Sequence, residues 1–243
     1  MGKGSRFWAG RRALAGACVA LLAAVVIASA SAGGALTPAT FTGSISVTCS
    51  LGQCGNFYGW TCDRPVALDS LTVNLDVPGG LKSKARDAVY LGPGCTGTIG
   101  TISVVTTGGD GIKVAEGAHD LTIGSGTVSC TSSFADVHQD GVQVMGGSHI
   151  TFTNLVVACT SANSDQFRVV MAGSSTVPPD SIVCEACEFH PGPTAYHDVT
   201  IGASTNSGVA DSLVCPSVSP NLVFNAGGAT SPVNRNNRFP SAC

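Results

Sequence analysis

The feature of this sequence that most restricts its fold is a short unit that recurs along the middle of the chain. DGIKVAEGAHDLTIGSGTVSC begins at Asp110, DGVQVMGGSHITFTNLVVAC at Asp140, and DQFRVVMAGSSTVPPDSIVC at Asp165. Shorter matches flank these units: DAVYLGPG begins at Asp87, and HDVTIGASTNSGVADSLVC begins at His197. The four aspartates are 23, 30 and 25 residues apart. Self-similarity at this period indicates a solenoid, in which each repeat forms one coil.

The residues inside each unit predict β-strands. Runs such as GIKV, VQV and ITF alternate apolar and polar residues and are separated by corners rich in Gly and Ser. No apolar period of 3.6 residues is evident after the N-terminal segment. Three short strands and three corners account for a unit of this length at about 3.3 Å per strand residue. The sequence therefore predicts an all-β fold, a parallel β-helix with crossovers of the usual right hand.

The units, written D-G-[IV]-x-V…G-x-H…[LI]-T-[IF], resemble right-handed parallel β-helix proteins of the pectin-lyase-like superfamily. The resemblance covers about Asp87 to Cys215. It implies the fold and a protein that binds or cleaves a polysaccharide. It does not imply a particular reaction, because one fold supports many chemistries.

The N-terminal segment predicts export. Four basic residues precede the apolar run ALAGACVALLAAVVIASA, and the small-residue stretch ASASAGG follows it. This is the pattern of a secretory signal peptide, which we assign to residues 1–32. A membrane anchor is the alternative, but the apolar run is short and no basic cluster follows it. We expect residues 33–85 to form a cap and first coil, 86–215 the repeat coils, and 216–243 a C-terminal tail.

Charge narrows the classes of partner. The leader holds four of the 12 Lys and Arg residues and none of the 15 Asp and Glu residues, so the mature chain carries a net charge of −7. Such a surface is a poor match for nucleic acid or an anionic membrane. We therefore expect a secreted monomer whose partner is a glycan, with no nucleic acid and no membrane bound after signal cleavage.

The number of cysteines also agrees with an exported protein. Cys18 leaves with the leader, and an even number remains, which in an exported chain predicts disulfides. The ten are Cys49, Cys54, Cys62, Cys95, Cys130, Cys159, Cys184, Cys187, Cys215 and Cys243. A zinc site at Cys184-x-x-Cys187 is the alternative, but no second pair accompanies it.

The repeat also predicts which cysteines are close. Cys130, Cys159 and Cys184 end successive units and should stack, so that Cys130 bonds Cys159 and Cys184 bonds Cys187 or Cys215. The first four cysteines would staple an N-terminal cap, and Cys243 would pin the tail.

Equivalent residues of adjacent coils should stack about 4.8 Å apart. The pairs Ile112 and Val114, Val142 and Val144, and Phe167 and Val169 then point inward as core. One side chain of each strand points outward, which gives the ladder Tyr90, Lys113, Gln143 and Arg168. Two cations, an amide and an aromatic ring could bind a sugar and its carboxylate. An ordinary solvated face is the alternative.

The aspartates form a second column. Asp87, Asp110, Asp140 and Asp165 each start a unit, and Asp commonly hydrogen-bonds backbone amides to set a turn. Stacked carboxylates repel unless each is bonded, protonated or bridged by a cation, so calcium is the one cofactor that these residues suggest. No other metal site is indicated.

One corner of this column carries additional ionisable groups. Asp136 and His138 precede Asp140, and no other unit has counterparts to them. Only 11% of the chain is charged, against roughly 25% in an average domain, so the cluster stands out. His119 and His149, by contrast, each lie nine residues after an aspartate and are interpreted as a repeat feature.

Three hypotheses about function follow. The first is a glycoside hydrolase resembling polygalacturonases, which use N-T-D-G, D-D, G-H-G and R-I-K motifs. HQDGV and NSDQF match these motifs only in part. In this hypothesis Asp140 and Asp165 would be the acid and the base. Lyases need a base, for which Arg168 or Lys113 is available, and a cation for the uronate carboxylate. The third hypothesis is a carbohydrate-binding or cell-surface module without catalysis. An enzyme should bring Asp136, His138 and Asp140 together with Lys113 or Arg168 in one groove, whereas a structural module should hold these groups apart.

Overall fold

The computed structural model of the 243-residue chain describes residues 40–50, 58–77, 87–131, 138–161, 164–171, 175–216, 222–224 and 228–243. The predicted signal peptide lies outside these ranges, as do Cys54 and Asp136. The described part of the chain contains no helix with the length and hydropathy that a membrane crossing requires.

All regular structure in the described residues is β-strand. The strands are β1 (Phe41–Ser50), β2 (Tyr58–Cys62), β3 (Pro65–Asp76), β4 (Asp87–Leu91), β5 (Thr96–Thr106), β6 (Ile112–Val114), β7 (His119–Cys130), β8 (Val142–Val144), β9 (Ser148–Thr153), β10 (Leu155–Cys159), β11 (Asp165–Val169), β12 (Asp180–Glu185), β13 (Glu188–Phe189), β14 (His197–Ile201), β15 (Gly208–Ala210), β16 (Leu213–Val214), β17 (Leu222–Phe224) and β18 (Val233–Arg235).

The strands build a parallel β-solenoid. Every described strand pair is parallel, and strands that are neighbours in space belong to successive coils. A seven-stranded sheet, here called the ladder sheet, runs in the order β17-β14-β11-β8-β6-β4-β2. The remaining eleven strands form one sheet whose main path is β1-β3-β5-β7-β9-β12-β15-β18. The predicted all-β solenoid is therefore confirmed.

The eleven-stranded sheet bends at a corner that is repeated from coil to coil. Asn154, Ala186, Asp211 and Asn236 follow β9, β12, β15 and β18, and each has a φ angle between 52° and 54°. This left-handed conformation turns the chain sharply, and Asn and Asp adopt it more readily than most residues. After the bend, β10, β13 and β16 form a third face of the solenoid.

The interior is filled by the inward side chains that the alternation predicted. Val142, Val144, Phe167 and Val169 of the ladder sheet are fully buried, as are Ile112 and Val114 one coil earlier. Phe167 meets Phe152 of β9 with ring centroids 5.8 Å apart, and Phe189 of β13 at 6.2 Å. One aromatic ring from each face thus meets in the centre of the solenoid.

The disulfides agree with most of the predicted pairings. Cys130 and Cys159 are register partners on β7 and β10 and form a bond. The other bonds are Cys62–Cys95, Cys184–Cys187 and Cys215–Cys243, and Cys49 is disulfide-bonded as well. The bond from Cys215 to the terminal Cys243 pins the tail as expected.

The predicted stacking of Cys184 on Cys159 is wrong. Cys184 pairs in register with Phe152 of β9, and its bond to Cys187 spans the corner at Ala186. The reason is corner length: ten residues separate Val169 from β12, whereas three separate Val144 from β9. Counting from the aspartate therefore fails after the longer corner.

The coils extend beyond the predicted repeat region at both ends. Strand β1 pairs with β3 over ten register positions, and β2 pairs with β4, so three strands of the solenoid precede the unit at Asp87. At the other end, β17 pairs with β14, and β18 pairs with β15, within the segment 216–243. These coils matter for the site because they place it in the middle of the solenoid.

Candidate functional site

The aspartate column is a hydrogen-bonded ladder along one edge of the ladder sheet. The backbone N–H of Asp110 donates to Oδ1 of Asp87 at 3.0 Å, and that of Asp140 donates to Oδ1 of Asp110 at 2.8 Å. The N–H of Asp165 donates to Oδ1 of Asp140 at 2.9 Å. The carboxylates of Asp87, Asp110 and Asp140 thus tie each coil to the next, and the predicted corner role is confirmed for these three aspartates.

Close packing of the coils explains the glycine after the aspartate. A Cβ atom on Gly141 would lie 2.2 Å from Cγ1 of Val157 and 2.6 Å from the carbonyl oxygen of Gln166. Gly111 faces the same obstruction from Val128 and from Gly141 of the next coil. Packing therefore requires glycine at positions 111 and 141, and the Asp-Gly pairs there say nothing about catalysis.

The second oxygen of Asp110, Asp140 and Asp165 contacts the outward residue three positions later, whereas that of Asp87 contacts Lys113 of the next coil. Nζ of Lys113 lies 2.9 Å from Oδ2 of Asp110 and 3.1 Å from Oδ2 of Asp87. Nε2 of Gln143 donates to Oδ2 of Asp140 at 2.8 Å. The predicted register Tyr90, Lys113, Gln143, Arg168 is confirmed by the strand pairing.

Calcium does not fit this column. Calcium requires six to eight oxygen ligands. Both oxygens of Asp87, Asp110 and Asp140 already accept backbone or side-chain donors, and Lys113 supplies the compensating charge. Burial opposes the charge on Lys113, but Asp110 and Asp87 outweigh it and raise the pKa of its ammonium group.

His138 is the exposed member of the candidate site. Its Nδ1 lies 3.1 Å from Oδ1 of Asp140, and its Nε2 lies 2.6 Å from Nη1 of Arg168. Its side chain is 41% exposed, whereas Asp140 is completely buried. Since a guanidinium can only donate, the contact with Arg168 requires an unprotonated Nε2 and places the ring proton on Nδ1, facing Asp140.

The groups around His138 have opposite effects on its pKa. The hydrogen bond to Asp140 raises the pKa of His138, while partial burial and Arg168 oppose that increase. Burial raises the pKa of Asp140 despite its hydrogen bond to His138. The adjacent Arg168 opposes protonation of the imidazole, in agreement with the neutral ring that its contact with Nε2 requires.

Asp165 shares β11 with Arg168, and His197 on β14 extends the site by one further coil. Asp165 is 1% exposed, and its Oδ2 lies 3.5 Å from Nη1 of Arg168. Its Oδ1 lies 3.4 Å from Nδ1 of His197, the residue that occupies the aspartate position in the following coil. Ligand atoms of His138, Asp140 and Asp165 lie within 4.8 Å of one another, but Arg168 contacts two of the three and already supplies the cation.

The structure therefore brings together His138, Asp140, Asp165 and Arg168, four of the residues predicted from the sequence. Tyr90 lies farther along the ladder sheet and stacks on Tyr58 with ring centroids 4.2 Å apart. Asp136 lies outside the described residues.

Sequence reasoning did not identify two groups of residues at this edge. Gln139 is buried and bonds the carbonyls of Gly108 and Gly109 and the hydroxyl of Ser161, and Gln166 caps the backbone of Cys159. The signal in the sequence was a glutamine next to Asp140 and another next to Asp165. Tyr196, 53% exposed, packs edge-on against His197 with centroids 4.0 Å apart, and only its adjacency to the repeat histidine indicated it.

The chain matches no protein-family model, no curated protein and no solved structure. The function is therefore inferred from the geometry of the ladder sheet.

The carboxylate ladder predicts a pH dependence of stability. Burial, with a contribution from Asp110, raises the pKa of Asp87 to about 6, against 3.8 ordinarily. Folded Asp87 thus holds its proton more tightly than the unfolded chain does, and stability falls as pH rises through the window from about 4 to about 6. The raised pKa of His138 acts in the same direction at higher pH.

We expect the melting temperature to increase when the pH is lowered from about 7 to about 5, with an Asp87 contribution of about 1 kcal/mol over this range. Calorimetry across this range should show a smaller slope for Asp87→Asn, whose side-chain oxygen still accepts the Asp110 amide. Equal slopes for both proteins would show that Asp87 is ionised throughout.

Proposed function

We propose that the protein is an exported polysaccharide-cleaving enzyme of the pectin-lyase-like type, which acts on uronate chains by β-elimination with His138 as the base. The observation that carries the proposal is the contact chain from Asp140 through His138 to Arg168. It joins a buried carboxylate, an exposed imidazole and a guanidinium. Disulfides bonding the described cysteines fit an oxidising, extracellular compartment.

Burial favours elimination over hydrolysis. Glycoside hydrolysis uses two carboxyl groups that both reach the scissile bond. Asp140 and Asp165 are 0% and 1% exposed, so neither can touch a sugar without rearrangement of the corner. His138 and Arg168 are accessible, with side-chain exposures of 41% and 29%. An imidazole base and a cation for the carboxylate are the groups that elimination needs.

The contact between Arg168 and His138 suggests how substrate activates the base. In the free protein, Arg168 occupies the Nε2 lone pair of His138. A uronate carboxylate is a stronger, bidentate acceptor for guanidinium than imidazole is. Binding of the carboxylate draws Arg168 away and leaves Nε2 free beside the acidified C5–H of the sugar.

The reaction then balances as follows. Nε2 of His138 takes the C5 proton, the C5–H electron pair forms the C4=C5 double bond, and the C4–O4 bond breaks. Asp140 stabilises the imidazolium that forms, because it accepts the Nδ1 proton in a dry environment. The products are an unsaturated uronate end and a shortened chain whose O4 gains a proton.

The ladder sheet offers a path for the rest of the chain. Coils about 4.8 Å apart place Tyr90 roughly 14 Å from Arg168 along the solenoid axis. The stacked rings of Tyr58 and Tyr90 provide an apolar platform for a sugar ring. The ammonium group of Lys113 contacts Asp87 and Asp110, which neutralise its charge. Its third N–H group can still donate a hydrogen bond to a sugar.

A non-catalytic carbohydrate-binding module is the second candidate. The observation that favours it is the structural use of the aspartates, each of which except Asp165 bonds the next coil. In that case glycan binding would persist without any appearance of unsaturated products.

The test is cleavage of a panel of polyuronates, followed by the ultraviolet absorbance of the unsaturated product. We expect His138→Ala to lower the rate by about 10²–10⁴-fold, the usual cost of removing a general base. His119→Ala is the matched control, because His119 is 47% exposed and also contacts an aspartate, Asp120, at 2.9 Å. Binding without cleavage by the wild type would establish the module, and equal losses for both variants would exclude His138 as the base.

A further inference from the structure

Asp165 departs from the ladder that contains it. At Asp87, Asp110 and Asp140, Oδ1 accepts the backbone N–H of the next aspartate. The residue opposite Asp165 in the next coil is His197, whose backbone N–H is directed to the carbonyl oxygen of Ser164 at 3.4 Å. Neither oxygen of Asp165 accepts a hydrogen bond, although the residue is 1% exposed.

Structure alone does not account for such a carboxylate. Burying a charged group without hydrogen bonds is unfavourable. At the other ladder aspartates a hydrogen bond to the next coil offsets this cost, and Asp165 lacks that bond. What Asp165 does contact is two basic side chains: Nη1 of Arg168 at 3.5 Å and Nδ1 of His197 at 3.4 Å. Its position suits a counter-ion that holds both of them.

We infer that His197, positioned by Asp165, delivers the proton to the departing sugar oxygen. The inference rests on the proposed elimination at His138, which leaves O4 with an electron pair that has to be protonated. Asp140 with His138 and Asp165 with His197 are two carboxylate–imidazole pairs, and Arg168 contacts a member of each. One pair serves the C5 proton and the other serves O4.

The surroundings of His197 fit this role. Asp165 faces Nδ1, which leaves Nε2 as the nitrogen that donates. The side chain of His197 is 17% exposed, and the exposed ring of Tyr196 packs edge-on against it. Tyr196 gives the departing sugar an aromatic surface beside the donor. Afterwards His197 regains a proton from solvent, and His138 releases the one taken from C5.

The experiment compares two leaving groups. One substrate is a polyuronate, whose alkoxide leaving group needs a proton. The other is a uronate monosaccharide with a nitrophenyl ether at C4, whose C4–O bond breaks to release nitrophenolate, an anion that leaves without protonation. We expect His197→Gln to lose about 10²–10⁴-fold on the polyuronate and to retain nearly wild-type rates on the aryl substrate. His138→Ala should lose activity on both.

Asp165→Asn separates positioning from folding. It should lower kcat on the polyuronate, leave KM nearly unchanged, and recover on the aryl substrate, a pattern that a merely destabilised protein does not produce. Equal losses of His197→Gln on both substrates, or no loss on either, would overturn the assignment while the base at His138 stands. A wild type that cleaves neither substrate would overturn both proposals.

Discussion

Replacing Asp140 by asparagine is expected to lower the rate of uronate cleavage by about 10²–10⁴-fold and to change the melting temperature by only a few degrees. The two effects separate because Asp140 has two kinds of contact. Its Oδ1 accepts the backbone N–H of Asp165, and an asparagine oxygen can do the same. Gln143, which donates to Oδ2, can rotate its amide to accept from the new NH₂ group.

What asparagine cannot replace is the negative charge beside His138. The imidazolium that forms during proton abstraction would face a neutral amide, and the fixed tautomer would be lost if that amide donated to Nδ1. The measurement is steady-state kinetics together with thermal melting of the same preparation. A stability change of 1 kcal/mol corresponds to a shift of about 2–4 °C in a domain of this size.

Asp110→Asn is the matched control. Asp110 occupies the same ladder position, and its Oδ1 accepts the Asp140 amide at 2.8 Å, but its charged partner is Lys113 and no histidine contacts it. This variant should retain cleavage. If Asp110→Asn lost as much activity as Asp140→Asn, the ladder would act through coil geometry and the base at His138 would be wrong.

The fold was predictable because the repeat fixes the registers that build it. Alternation in GIKV and VQV identified the buried Ile112, Val114, Val142 and Val144, and the aspartate of each unit identified the hydrogen-bonded corner. Interactions between adjacent coils are short in range, so a pattern local in sequence determines them.

Registers after a corner of variable length were not predictable. His119 and His149 occupy the same position in their units, but His119 pairs with Ser148, and the side chain of His149 contacts Asp120. One residue fewer lies between Val144 and β9 than between Val114 and β7, and a one-residue shift exchanges every outward neighbour. The misplacement of Cys184 has the same origin.

The candidate site was predicted in part for a related reason. His138 and Asp140 are close in sequence, so their contact could be expected from HQDGV. Arg168 and His197 come from two later coils, and their distances to Asp165 depend on side-chain conformations that no repeat encodes. The sequence suggested Asp140 as a catalytic acid or base. Its complete burial, which only the structure shows, favours a role in which it orients and stabilises His138.

Truncation of Phe167 to alanine is expected to have the largest effect on stability, about 3–5 kcal/mol. The ring is fully buried and contacts Phe152 and Phe189, which come from the other two faces of the solenoid. A cavity here cannot be filled by one neighbour without disturbing the others, because all three faces are held in register by backbone hydrogen bonds. Phe239→Ala, at a 48% exposed position, is the control and should cost less than about 1 kcal/mol.

The loss at Phe167 should also be local, because each coil of a solenoid contacts only its neighbours. Hydrogen exchange is the suitable measurement: protection should fall for amides of β8, β11 and β14 and change little for β3 and β5. Chemical denaturation gives the total loss for comparison with Phe239→Ala. Uniform loss of protection from β3 to β15 would show that the coils unfold as one unit, and equal midpoints for both variants would show that the three rings do not form the centre of the core.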